Sequence, residues 1–166
     1  MRAVARAVGV TPMALYKHFP DRDSLLQAAT AMEYIRIAEY FARANARTDV
    51  PGLRGMLGYL QYAFDHPALF SYVFAGPRPD AFCYPTDLGT EKSPTLKTLF
   101  DVVEQQMSAG RLRKDDVHEA AMSIWAHAHG LIVLYLNGRI ELAPPDFQSF
   151  YMRSLNRLLL GLKAPG

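Results

Sequence analysis

Residues 3–19 read AVARAVGVTPMALYKHF, two short segments separated by a glycine. Val4 and Val8 are four apart and share one face of a first helix. Gly9 supplies the positive φ that a three- or four-residue turn between helices requires, and Val10 is placed to fill the angle between them. Thr11 then caps a second helix, because its hydroxyl can accept from the free N–H groups of the first turn. Pro12 falls at the first helical position, where a missing N–H costs nothing. Leu15 and Phe19, again four apart, face inward, and Pro20 ends the helix by disfavouring helical geometry at Phe19. Asp21 caps a longer helix that begins with Leu25 and Leu26. The reading is a helix-turn-helix.

Outward from this stretch the periodicity stays helical. Tyr34, Ile37, Ala38 and Phe41 mark one helix, and Leu53, Met56, Leu57, Leu60 and Phe64 mark the next, each at i, i+3, i+4 and i+7. Pro51 is placed to open the second of these, and Pro67 breaks the chain after His66, leaving a short helix over 68–74. Residues 76–94 carry Pro77, Pro79, Pro85 and Pro94 with two glycines, so an irregular mobile loop is expected there. Leu96, Leu99, Phe100, Val103 and Met107 resume the helical spacing as far as Gly110, a left-handed cap. Asp115 or Asp116 caps the following helix, which reaches about Asn137, and Pro144 and Pro145 open a last one marked by Phe147, Phe150, Tyr151, Leu155, Leu158, Leu159 and Leu162. No alternation long enough for a strand occurs. The fold class is all-α.

Charge is informative only in its placement. The 166 residues carry a formal net charge of +2, too mild to mark a nucleic-acid binder. Yet no acidic residue precedes Asp21, while Arg2, Arg6, Lys17 and Arg22 make the N-terminus locally basic. If the second helix docks on a duplex, Thr11, Pro12, Met13, Ala14 and Lys17 enter the major groove, where small and apolar groups can meet thymine methyls and Lys17 a guanine edge or a phosphate. Tyr16, His18 and Arg22 are then placed to contact the phosphate backbone.

The pattern G-V-T-x-x-x-L-Y-x-H-F over 9–19, followed by Asp21, Arg22 and the Leu25-Leu26 pair, resembles that of TetR-family transcriptional regulators. Downstream, FDHPALFSYVF (64–74) and WAHAHGLIVLYLNGR (125–139) resemble the ligand-binding half of a TetR subgroup marked by a Trp, a His-Gly pair and an apolar run. The resemblance implies the groove-facing and backbone-contacting roles just given. It also implies an effector site among the later helices and a homodimer through the last two helices. Family members begin with a further helix ahead of what is Met1 here. The expectation is therefore a misplaced start or a trimmed chain, with Val4, Val8, Leu15 and Phe19 short of cover and DNA affinity weak.

Helices rich in aromatics can enclose an apolar pocket. Tyr59, Tyr62, Phe70, Phe74, Met107, Trp125 and His129 are the candidates for its lining, although aromatic and methionine side chains at helical spacing are more often plain core. Trp125 and His129 lie four apart on one face, an indole wall beside one polar group for a largely apolar ligand. His127 and His129 point about 200° apart on a helix and do not share a metal ion. There is no G-x-S-x-G, no G-x-x-x-x-G-K and no H-E-x-x-H, so no enzyme is expected, nor any cofactor. The single cysteine, Cys83, forms no internal disulfide, and the N-terminus lacks an apolar export signal, both of which suit the cytoplasm. The charge-free window 120–137 is interrupted by His127, His129, Ser123 and Gly130 and reads as core or interface, not as a membrane span. Its apolar surface and that of the last helix exceed what a small monomer hides, which agrees with a dimer.

The expected organisation is a partial helix-turn-helix over 1–27 and a helical effector-binding and dimerisation domain over 28–166. The expected function is a ligand-responsive repressor that binds a palindromic operator on double-stranded DNA as a homodimer and is released by a small apolar effector. The alternative is a ligand-binding or interaction protein whose DNA head does not function.

Overall fold

The computed structural model describes residues 1–45, 53–74, 81–88, 90 and 92–164. Eight helices and no strand occur among them: α1 (Arg2–Ala7), α2 (Pro12–His18), α3 (Arg22–Asn45), α4 (Leu53–Asp65), α5 (Pro67–Phe74), α6 (Pro94–Ser108), α7 (Val117–Leu136) and α8 (Pro144–Gly161). The all-α expectation holds. The stops are local and follow the chemistry read above. Gly9 and Gly110 have φ of 72° and 67°, Ser93 caps α6 by accepting from the Leu96 N–H, and Asp116 caps α7 by accepting from the Glu119 N–H. Pro67 opens α5 directly after α4 ends. Pro51, to which a helix opening is assigned, and Pro77 and Pro79 of the irregular connection lie outside the described residues.

α3 differs from expectation in length. The helix that starts below Asp21 and the one marked by Tyr34 to Phe41 are a single element of 24 residues, roughly 36 Å long at 1.5 Å per residue. It runs through the boundary drawn at residue 27, so the head and the body share one helix. Its buried stripe is Thr30, Glu33, Ile37 and Phe41, with Tyr34 and Ala38 half-buried beside it.

α3 packs most extensively on α4, and more lightly on α6 and α5. Two glycines of α4 allow this. A Cβ on Gly58 would collide with the Tyr40 backbone, and one on Gly55 would overlap the Phe41 ring. α4 also meets α5, α7 and α8, while α6 lies on α7 and α7 on α8. The core so formed includes Met56, Leu60, Leu99, Ile132, Phe147, Tyr151 and Leu155. The Tyr151 hydroxyl donates to the Met56 carbonyl at 3.0 Å, tying α8 to α4. Tyr135 and Phe147 stack at 4.0 Å between α7 and α8. Among the described residues no helix is long and apolar enough to cross a membrane.

Candidate functional site

The head is built from backbone satisfaction more than from burial. The Thr11 hydroxyl accepts from the Ala14 N–H at 3.1 Å, and Pro12 holds the first position of α2. Phe19 is extended (φ −131°, ψ 106°), as the following proline demands. Asp21 and Ser24 then form a reciprocal cap at the start of α3. The Ser24 N–H donates to the Asp21 carboxylate at 2.7 Å, and the Asp21 N–H to the Ser24 hydroxyl at 3.3 Å. The hydrogen bond from the Ser24 N–H, with the Ser24 hydroxyl second, holds the Asp21 carboxyl below the usual carboxylate range.

On this frame Thr11, Pro12, Met13, Ala14, Tyr16, Lys17, His18 and Arg22 are all exposed, Met13 at 79%. Leu15 and Phe19 are half-buried, in keeping with an inward face. In the first helix Val4 and Val8 are short of cover, as expected, and the departure is Val10. Ala5 is its buried residue, while Val4, Val8 and Val10 are 41%, 63% and 44% exposed. α1 has six residues and packs on α2, and Val10 does not fill the angle between them.

The body holds the second group of candidates. A cavity of about 200 Å³ opens between α3, α4, α5, α6, α7 and the connection before α6. Tyr34, Tyr59, Phe74, Phe82, Tyr84 and Trp125 wall it; among the described residues Ser93 and Thr95 are its polar side chains apart from the tyrosines and the tryptophan, and none that lines it is charged. A separate cavity of about 270 Å³ lies on the other side of Phe74, bounded by Phe70, His129, Val133, Leu136 and Asn137. Of the seven pocket candidates, Tyr59, Phe74 and Trp125 therefore line the first cavity, and Phe70, Phe74 and His129 the second. Tyr62 and Met107 line neither. The Tyr62 hydroxyl turns instead to Glu33 on α3, at 2.9 Å, and Met107 is buried in the core at the end of α6.

Tyr59 and His129 join the two cavities. The Tyr59 hydroxyl lies 2.9 Å from His129 Nδ1, and the imidazole stacks on Trp125 at 5.3 Å and on Phe70 at 5.5 Å. Burial pushes the Tyr59 hydroxyl well up, outweighing a hydrogen bond from Trp125 that pulls it down, so it stays protonated. Burial likewise lowers the His129 pKa and keeps the ring neutral. Hydroxyl and neutral imidazole each carry one donor and one acceptor, so the tautomer of His129 sets which of them donates in this bond. The arrangement suits recognition of an uncharged ligand and offers no nucleophile paired with a base. No group of three metal-ligating side chains occurs among the described residues.

Several contributors escaped sequence reasoning. Glu33 is buried, held by the Arg36 guanidinium at 3.0 Å and by Tyr62, yet the spacing of Tyr34, Ile37, Ala38 and Phe41 gives no sign of it. Phe82 and Tyr84 fall in the proline-rich stretch that reads only as a connection. There the Asp87 carboxylate accepts from Lys92 at 3.0 Å and from the Cys83 N–H at 2.9 Å, which orders the segment that forms one wall. The available signal was the aromatic content of that stretch.

Comparison with known proteins agrees with both halves. Residues 53–158 match the family model of the tetracyclin repressor-like C-terminal domain, and residues 1–29 match that of bacterial regulatory proteins of the tetR family. The chain is 26% identical over 132 residues to the HTH-type transcriptional regulators Rv1816 of Mycobacterium tuberculosis and Mb1846 of Mycobacterium bovis, covering 74% of this chain and 55% of each relative. It thus spans about half the length of the curated relatives it matches. Among solved structures, a protein of unknown function from Rhodococcus sp. RHA1 superposes with a TM-score of 0.76 at 20% identity, covering 98% of this chain and 83% of that one. One from Shewanella sp. PV-4, assigned to the tetR family of transcription regulators, superposes with a TM-score of 0.68 at 16% identity, covering 98% and 86%. With one family model covering the body and another the head, the chain belongs to the TetR family of bacterial transcriptional regulators.

Proposed function

We propose that this chain works as a homodimeric, ligand-responsive repressor: α2 reads a palindromic operator, and a small uncharged effector held among α3 to α7 releases it. The observation that carries this reading is the continuity of α3. The helix begins at Arg22, directly after the Asp21 cap that follows α2, and presents Tyr34 and Ile37 to the 200 Å³ cavity, so one element carries residues of both sites. A ligand that binds better when α3 is displaced shifts the spacing of two α2 helices in a dimer; coupling of this kind requires such differential affinity. Thr11, Pro12, Met13, Ala14 and Lys17 face the groove, with Tyr16, His18 and Arg22 on phosphates. Leu134 on α7 and Leu160 on α8 are exposed, at 45% and 66%, and support the pairing of these two helices with a second copy. Such a regulator acts on the chromosome in the cytoplasm and has no turnover of its own.

The test is selection of duplexes from a random pool, followed by fluorescence anisotropy on the enriched sequence with and without aromatic compounds. Enrichment of a palindrome whose binding is relieved by a compound is the expected outcome. Sedimentation as a monomer at micromolar concentration, or enrichment of no sequence, sinks the reading. A second reading, a ligand-binding protein whose head does not hold DNA, is favoured by the exposure of Val4 and Val8 on α1. Ligand binding without any DNA binding would establish it.

A further inference from the structure

α5 packs on α4 and more lightly on α3, but not closely on α7, and the cavity of about 270 Å³ lies in the space so left. Phe70 and Phe74 line it from α5, and His129 and Val133, four apart on one face of α7, from the other side. Depth sorts these residues. Phe70 is buried and Phe74, His129 and Val133 are half-buried, while Ser71 and Asn137 are exposed at the rim. The volume exceeds the roughly 150 Å³ of an apolar cavity that takes up benzene, so a single substituted ring fits between the two helices.

His129 supplies the polar group. Trp125 and Phe70 stack on its ring at 5.3 and 5.5 Å, Phe74 meets it edge-on at 4.8 Å, and Nδ1 lies 2.9 Å from the Tyr59 hydroxyl. Four aromatic neighbours thus fix the imidazole. Its Nε2 has no hydrogen-bond partner among the described residues, and it is not one of the sealed polar atoms left unpaired there, which are Thr95 Oγ1 and Gln106 Nε2. Nε2 is therefore open to the cavity that the ring lines. A single polar atom in an aromatic recess sets the orientation of a ligand. Nε2 is a donor in one neutral tautomer and an acceptor in the other, and a hydroxyl, which both donates and accepts, pairs with either.

We propose that this cavity is a second ligand site, apart from the 200 Å³ cavity, for a small aromatic molecule whose hydroxyl pairs with His129 Nε2 while its ring lies against Phe70 and Phe74. The reading of the 200 Å³ cavity as the effector site stands or falls without it.

The experiment adds 4-methylphenol or toluene to the full chain carrying isotope-labelled histidine and follows the ring nitrogens of the five histidines by NMR, with affinities from the same titration. The His129 signals are assigned by their loss in His129→Phe, which keeps an aromatic ring in the stack. In the wild type 4-methylphenol binds at least as tightly as toluene, because Nε2 replaces the water that the hydroxyl gives up, and it moves the Nε2 resonance far more than toluene does. In His129→Phe the affinity for 4-methylphenol falls about 10-fold relative to toluene, the cost of a hydroxyl left unpaired. Val133→Phe, which fills this cavity alone, abolishes binding of both compounds, and Met122→Phe, in the wall of the other cavity, leaves it intact. An Nε2 resonance that stays in place with 4-methylphenol bound overturns the role of His129. Binding that survives Val133→Phe and is lost in Met122→Phe overturns the second site and leaves the effector reading standing. Binding of neither compound to the wild type overturns the ligand class. If a variant does not fold, the Nε2 resonance of the wild type still decides.

Discussion

Replacing Gly58 by alanine tests the seam on which both sites depend. In the interior of an exposed helix this substitution stabilises by about 1 kcal/mol, because alanine loses less backbone entropy. At Gly58 the new Cβ would lie 2.6 Å from the Tyr40 carbonyl carbon and 2.9 Å from the Phe41 nitrogen, and closer still to the Tyr40 carbonyl oxygen. These are backbone atoms of α3 and cannot rotate aside. Ordinary contact needs roughly 3.5–4 Å between carbons, so α3 and α4 must part by about 1 Å along their most extensive interface. Overpacking of this kind costs about 1–3 kcal/mol. Taking the upper end because backbone opposes it, the net loss after the propensity gain is about 2 kcal/mol. For a chain of this size that lowers Tm by about 4–8 °C in a calorimetric scan. Gly130→Ala is the internal control. Its Cβ meets nothing within 4 Å on α7, so in the isolated subunit the same substitution should raise Tm by about 2–4 °C. A Gly58→Ala variant that gains stability as Gly130→Ala does would refute the close α3–α4 approach.

Three further outcomes follow from the same geometry. Tyr62→Phe removes the hydroxyl that donates to buried Glu33 and should cost about 1.5–3 kcal/mol in urea unfolding, the range for hydrogen bonds to charged groups; a change under about 0.5 kcal/mol would mean that water replaces it. His129 has its pKa lowered by burial, so as pH falls below the unfolded value of about 6.5 the unfolded chain takes up the proton first and stability falls until the lowered folded pKa is passed. The Tm drop between pH 7.5 and 5.5 should therefore shrink in His129→Asn, and identical profiles would contradict the buried neutral imidazole. Lys17→Ala should weaken binding to a selected duplex and reduce the slope of log K against log salt by about 1 if Lys17 meets a phosphate; an unchanged slope with altered base preference would instead place it on a base edge.

What could be read from the chain alone was what neighbours along the chain decide. The Thr11 and Asp116 caps, the prolines at the starts of α2, α5, α6 and α8, and the positive φ at Gly9 and Gly110 all lie where residues within about four positions dictate them. Hydrogen-bond satisfaction at helix ends is a local problem, and its solutions leave a mark in the residue types. Helical spacing also told which side chains share a face, as Trp125 and His129 do. It could not tell which partner each face meets. Only packing in three dimensions put His129 on Tyr59 and away from the 200 Å³ cavity, turned Tyr62 toward Glu33, and brought Phe82 and Thr95 into the wall. Gly58 shows the division plainly: its sequence context is an ordinary helix, and its necessity comes from the Tyr40 backbone of another helix, eighteen residues earlier, because close approach between helices is set by their relative placement and not by the residues beside the glycine.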